Sequence, residues 1–562
     1  MISSKQKQHR RNAHCIARCA AAALCTVLLA GCGETKQDAG GQDAATEKPL
    51  PFKGVTLRLL VVEDARLAET IGRLRGEWRA TTGADVQVVE MAQTELLETQ
   101  SFDADAVIYP SYDLGPLVEH DLLRPLGDRE LNSPDVAWQE VFEADKSHDA
   151  SWGSTSYAFP FGSPTLVCCY RKDLLDKLAR RPPTTWSEYE ELAELLADRE
   201  KVGDAAANAS WSGTREPLAK GWAGLTLLAR AAPYAKHRSH YSTLFDMESM
   251  EPLIAGPPFV RALDELRRAH TSMAADVLGD GPEDVHEALL AGQCGMALTW
   301  TSPAFAPGGA VGWDQRARER RPTIGLRQKD EGSRQKSSFC LHPSAFRLLP
   351  RWAGARKPAG PTLLLVADAS EAARSAPTDK IEIGFAPLPG SPEAFNPKMG
   401  EWDARRDDES AHVPLVGISG VLGSVTSASK QPEAAFHLLG WLSGPEWSQR
   451  VSPAAAGTTL FRRSHLKSPQ DWVDPRIDDL AALKYAETVE RSLGSADVFG
   501  APRIAGRSRY LAALDEAVGA ALAGDETSEA ALQEAADAWR KITVELGLER
   551  QRAAYRHSLG LR

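Results

Sequence analysis

Positive charge is in deficit along this chain. The 65 lysines and arginines are outnumbered by 76 aspartates and glutamates, a formal net charge of −11 over 562 residues. A protein that grips nucleic acid through its phosphates carries a basic excess or a basic face, so the balance weighs against that role. Sulfur is scarce too, with eight cysteines and seven methionines. No Cys-x-x-Cys occurs, and the thirteen histidines show no metal-ligand spacing. Also missing are the phosphate loop GxxxxGK[ST], the zinc-protease HExxH, the nucleophile elbow GxSxG and the EF-hand loop. Gly417, Gly420 and Gly423 are spaced by three and do not make GxGxxG. These absences remove the common nucleotide, zinc and serine chemistries and favour binding over catalysis. A glycosidase pair of carboxylates stays open among so many acids.

What is present is ordinary globular composition, 43% hydrophobic and 25% charged, with chain enough for several units and a large core. The N-terminus is different. Lys5, Lys7, Arg10, Arg11 and Arg18 precede an apolar run, Cys19–Gly31, with no acid among them. Thirteen residues are too few to span a bilayer, which needs about twenty, but they suit the core of a secretory signal. The run ends Leu29-Ala30-Gly31-Cys32. That ending resembles the bacterial lipobox, in which the cysteine is acylated and becomes the new N-terminus. The resemblance implies a signal peptide at 1–31, a lipid on Cys32 and an extracytoplasmic protein held at the membrane. Residues 32–51 are small, polar and glycine-rich, as in a flexible tether. Of the cysteines beyond it, Cys168, Cys169, Cys294 and Cys340 are too few for a disulfide framework. Neighbours on a strand point to opposite faces, so Cys168 and Cys169 read as buried small hydrophobes, with a redox or metal site as the alternative.

Hydrophobic periodicity then predicts an α/β chain. Residues 55–62 form an apolar run of strand length, and Leu67, Ile71, Leu74 and Trp78 mark one face of a helix over 66–80 that Gly83 ends. Strands follow over 85–90 and 104–109, and this strand–helix–strand order predicts a parallel sheet. Thr185 and Glu188 form a capping box ahead of Leu192, Leu195 and Leu196. Residues 285–298 read as helix, turn and strand, 381–389 as strand, and 432–442 as helix. Two amphipathic helices close the chain, one around Leu511–Leu522 and one around Leu532–Ile542. Residues 306–380 are rich in proline, glycine and arginine, and their basic cluster (Arg316, Arg318, Arg320, Arg321) reads as a solvated face or a partner site.

Several of these segments, in order, resemble one family. They are Asp105–Leu126 (DAVIYPSYDLGPLVEHDLLRPL), Tyr157–Asp173 (YAFPFGSPTLVCCYRKD), the Pro182–Leu195 stretch beginning PPTTWSEYE, and Gly292–Trp300 (GQCGMALTW). Behind them come FAPLPG at Phe385–Gly390 and the glycine-punctuated strand and helix of Gly417–Leu442. The pattern is similar to that of the family 1 extracellular solute-binding proteins of ABC importers, the maltose-binding-like group. Two features depart from it: Gly-Gln-Cys-Gly at 292–295, and a 306–380 segment longer than the family's connection.

The resemblance implies a two-lobe, type II periplasmic-binding-protein fold with hinge-linked lobes and a ligand cleft between them. Its lobes would be 52–158 with 388–465, and 159–387, with the C-terminal helices of 466–562 mostly on the second. It implies a small-molecule ligand, a carbohydrate by preference, and an ABC-transporter permease as partner. It implies no cofactor and no metal. The ligand-binding residues carried over are Tyr109, Tyr112 and Asp113 after the third strand, and Trp300 after the Met-Ala strand, with Trp222 added on the helix after Gly221. Each has a second reading: Tyr109 and Trp300 as core, Asp113 as the cap of the helix near Gly115. Two rivals remain, a lipid-anchored polysaccharide hydrolase and a lipoprotein that senses a ligand without transporting it.

Overall fold

The computed structural model describes residues 50–203, 208, 210–306 and 381–561. The signal, the tether, Cys32, Cys340, most of the 306–380 segment and its basic cluster lie outside the described residues. From Leu50 onward the chain forms one compact unit built on two principal sheets.

The first sheet starts as the periodicity predicts. Strand Thr56–Val62 pairs in parallel with Asp85–Met91 and with Ala106–Pro110. Between the first two runs helix Ala65–Thr82, and Gly83 closes it in the left-handed region at φ 77°, a conformation that costs glycine little. Two further strands, Val421–Val425 and Phe159–Gly162, add antiparallel. Alternation divides the first strand between two cores. Leu57, Leu59 and Val61 pack with Ile71, Trp78 and Leu438, while Leu60 and Val62 join the larger core that continues into the second sheet.

That second sheet runs Ile383–Ala386, Val167–Arg171, Cys294–Thr299, Ser212–Arg215. Cys168, Cys169 and Cys294 are buried free thiols in it, and burial pushes the Cys168 and Cys294 thiols up to about 12. The capping box at Thr185 and Glu188 forms on helix Trp186–Ala197. Helices Asp479–Leu493 and Arg507–Ala523 pack on this second body, against Ile383–Ala386 and helix Ala223–Ala235 respectively.

The lobe limits differ from the expected ones in two places. Phe159–Gly162 belongs to the first sheet, so the chain crosses at 163–166 rather than at 158–159. The hairpin Glu393–Asn396/Glu401–Ala404 stays with the second body. His237 Nε2 bonds Asp403 at 3.0 Å, and Arg405 reaches the Pro233 carbonyl at 2.5 Å. The return crossing therefore comes near 413–420 rather than at 388. In both places an extra hydrogen-bonded element moved the boundary, and apolar patterning does not report which sheet a strand joins.

Candidate ligand site between the lobes

The three parallel strands of the first sheet end side by side, and their carboxyl ends carry Glu63 and Asp64, Gln93, and Ser111 to Asp113. Ligands of open α/β sheets gather at such ends. Glu63 sits in the left-handed region at φ 49°, which a non-glycine residue adopts only when its surroundings hold it there. Its carboxylate accepts the Gln93 backbone N–H at 3.2 Å. Asp64 caps helix Ala65–Thr82 by accepting from Leu67 at 2.8 Å.

Asp113 is 6% exposed. Its side chain caps no helix. It accepts instead from Gln93 Nε2 at 2.6 Å. Burial pushes its carboxyl up to about 6; the Gln93 hydrogen bond and the Arg507 charge oppose the rise, and Glu63 adds to it. Tyr112 is half-buried, with the Arg507 guanidinium carbon 4.1 Å from its ring centre, a cation–π contact. Arg507 also donates to the Ile418 carbonyl at 2.6 Å. Around this group Gln93 Oε1, Ser111 Oγ and Arg507 Nε are buried and have no hydrogen-bond partner among the described residues.

Tyr109 lies deeper. It is 1% exposed, and its hydroxyl is shared with Ser424 Oγ at 2.8 Å. Of its two readings, the structure places it as sheet core.

The tryptophans stand together on the second body. Trp222 immediately precedes helix Ala223–Ala235 rather than lying within it. Its ring is 5.6 Å from that of Trp300, which is in turn 5.6 Å from Phe305. Trp300 is 3% exposed and Trp222 half-buried. Trp300 Nε1 donates to the Ala456 carbonyl at 3.1 Å, across to the first lobe. Arg66 makes a second crossing contact, to the Ala304 carbonyl at 2.9 Å.

Helix Arg507–Ala523 ties the two groups together. Arg507 covers Tyr112, and Asp515 accepts the backbone N–H of Gly221 at 2.6 Å and of Gly224 at 2.8 Å, on either side of Trp222. Eight residues of helix separate those points by about 12 Å. The structure thus brings Tyr109, Tyr112 and Asp113 together, and Trp222 with Trp300, as two groups joined through one helix.

Gln93 and Ser111 went unread in the sequence, although both follow a predicted strand as Asp113 does. Strand-end position was the available signal. Arg507 had none, because it opens an amphipathic helix nearly four hundred residues further along.

A family model for bacterial extracellular solute-binding proteins matches residues 77–449. The chain belongs to that family. Solved structures show the same fold at low identity. The Xanthomonas citri sugar-binding protein MalE superposes with a TM-score of 0.56 at 17% identity, over 88% of this chain and 99% of that one. An Agrobacterium radiobacter ABC-transporter solute-binding protein in complex with ribitol gives 0.55 at 18%, over 88% and 100%. Maltose-bound MalE3 of T. maritima gives 0.53 at 16%, over 87% and 100%. No protein of curated function matches in sequence. This solute-binding protein therefore has the two-lobe mixed α/β architecture of the sugar-binding group. Among its described residues no three His, Cys, Asp or Glu side chains could hold a metal ion, and no helix is long and apolar enough to cross a membrane.

Proposed function

We propose that this solute-binding protein captures a sugar or polyol between its lobes and hands it to an ABC-transporter permease. The observation that carries the reading is the set of buried polar atoms at and over the strand ends that have no partner among the described residues: Gln93 Oε1, Ser111 Oγ and Arg507 Nε. Burying such groups unpaired is costly, and a ligand's hydroxyls would satisfy donor and acceptor alike. Tyr112 and Asp113 would face that ligand from the first lobe and Trp222 from the second, because a half-buried ring suits the apolar C–H face of a sugar or polyol. In this reading Tyr109 and Trp300, both buried, support the contact residues from behind. The relatives that hold ribitol and maltose point to the same ligand class.

The test is a thermal-shift screen over pentitols, hexitols, maltose and maltodextrins, with polyamines and amino acids as counter-screens. A true ligand at one hundred times its dissociation constant should stabilise the fold by about 2.7 kcal/mol if it binds only the native state. Small-angle scattering should then show compaction, since hinge bending closes lobes around a ligand. Steady chemical conversion of a screened compound would replace binding with hydrolysis as the function.

Lipid on Cys32 would keep the protein beside its permease. Cys32→Ser should move it from membranes into soluble fractions or leave the signal uncleaved. An unmodified Cys32 in membrane-extracted protein, read by mass spectrometry, would remove the anchor from this account.

A further inference from the structure

The ligand reading leaves unused a buried charged cluster where the lobes are joined. Asp145–Asp149 is one turn of wide helix on the first lobe, and three separate stretches of chain meet it. Ser163, on the first crossing, donates its hydroxyl to Asp149 Oδ2. His148 Nδ1 bonds Asp149 Oδ1 at 2.8 Å. Arg503 donates to the carbonyls of His148, Asp149 (3.1 Å) and Ser151 (3.3 Å). The His148 ring fills the space over Gly417 and Gly500, where a β-carbon would press on it. Gly417 follows and Gly500 ends two segments that pair in parallel, Leu415–Val416 on the return crossing and Phe499–Gly500 on the way to the C-terminal helices. Gly420 touches the cluster from the ligand side: a β-carbon there would collide with Ser163 Oγ and press on Ser111 Oγ.

The cluster is buried, and its hydrogen bonding within the protein is incomplete. Asp149 is 2% exposed and Arg503 1%. Arg503 Nε, both oxygens of Asp145, Thr165 Oγ1 on the first crossing and Ser111 Oγ all lack a hydrogen-bond partner among the described residues. A buried ionic network with unused donors and acceptors has a second arrangement within reach, and closely packed contacts switch between discrete arrangements rather than deform smoothly. Arg503 stands four residues ahead of helix Arg507–Ala523, which packs on the second body, and it holds carbonyls of the first lobe, so a rotation of one lobe against the other strains this cluster.

We propose that the Asp149–His148–Arg503 cluster, with Ser163, is the fastener of the hinge: it fixes the resting angle between the lobes and is remade when that angle changes. It would tune ligand affinity without touching ligand, by setting the fraction of molecules already in the binding-competent angle. Asp149, Ser163 and Arg503 are positioning residues in this sense.

Hydrogen exchange on the full-length protein without any ligand tests the idea separately from the ligand assignment. Ser163→Ala removes one hydroxyl and Asp149→Asn removes the charge. Each should speed exchange by about tenfold at the contacts that cross between lobes, in peptides covering 300–306 and 455–460, while strands Thr56–Val62 and Cys294–Thr299 exchange as before. Exchange altered only within 145–152, unaltered everywhere, or raised evenly through both sheets would make the cluster an ordinary stabilising network and overturn the proposal. Should Asp149→Asn fail to fold, Ser163→Ala alone decides.

Discussion

Trp300→Ala should cost the unliganded protein about 3–5 kcal/mol of folding stability, the range for an aromatic removed from a packed core. The side chain is almost wholly buried, lies between the rings of Trp222 and Phe305, and spends its N–H on the Ala456 carbonyl. Alanine removes all three contacts and leaves the half-buried Ala456 carbonyl without this donor. Trp222→Ala should behave differently. That ring is half-buried and meets Trp300 at the edge of the cluster, so its loss should weaken ligand binding more than it weakens the fold. Urea unfolding of both variants without ligand separates the two roles. A Trp300→Ala protein that unfolds like the native one but binds poorly would make Trp300 the ligand platform and end its structural assignment.

Asp113→Asn should raise stability at neutral pH and lower ligand affinity at the same time. Burial holds the Asp113 carboxyl at about 6 in the fold, against an ordinary 3.8. A carboxyl raised in this way disfavours folding once it ionises. The cost is complete above about pH 6, shrinks as the pH falls from 6 towards 3.8, and is absent below the ordinary value. A shift of this size corresponds to about 3 kcal/mol at pH 7.5. Asparagine keeps the shape and can still accept from Gln93, so the variant should melt higher than the native protein at pH 7.5 and no higher at pH 4. Its ligand affinity should drop about ten- to a hundredfold, the effect of losing a hydrogen bond to a charged group. Equal melting of the two proteins at pH 7.5 would mean that Asp113 is not held ionised at a cost.

The elements themselves were readable because each announces itself locally. Apolar runs bounded by glycine and acids became strands, the spacing of Leu67, Ile71, Leu74 and Trp78 became a helix face, and Thr185 with Glu188 became a cap. Ordered motifs identified the family, and 77–449 carries its pattern. The site was only half readable. Asp113 and Tyr112 follow the end of a strand, where ligands of α/β sheets gather, but nothing local distinguishes Tyr109, on that strand, from them. Its hydroxyl is taken by Ser424, more than three hundred residues away. The helix cap suggested for Asp113 gave way to Gln93 for the same reason: the partner comes from a neighbouring strand end.

The sequence by itself determined the α/β class, the strand–helix rhythm and the presence of polar residues at strand ends, because propensity and periodicity act within a few turns of chain; the two lobes followed from its resemblance to a family. Only the tertiary structure decided which strand joins which sheet, that Arg507 lies over Tyr112, that Trp300 reaches Ala456, and that Arg503 meets His148 and Asp149 between the lobes. Those pairings join residues separated by about 150 to 400 positions. They exist because two packed bodies leave buried donors and acceptors that must find each other across the fold, and hydrophobic patterning carries no record of where such partners lie.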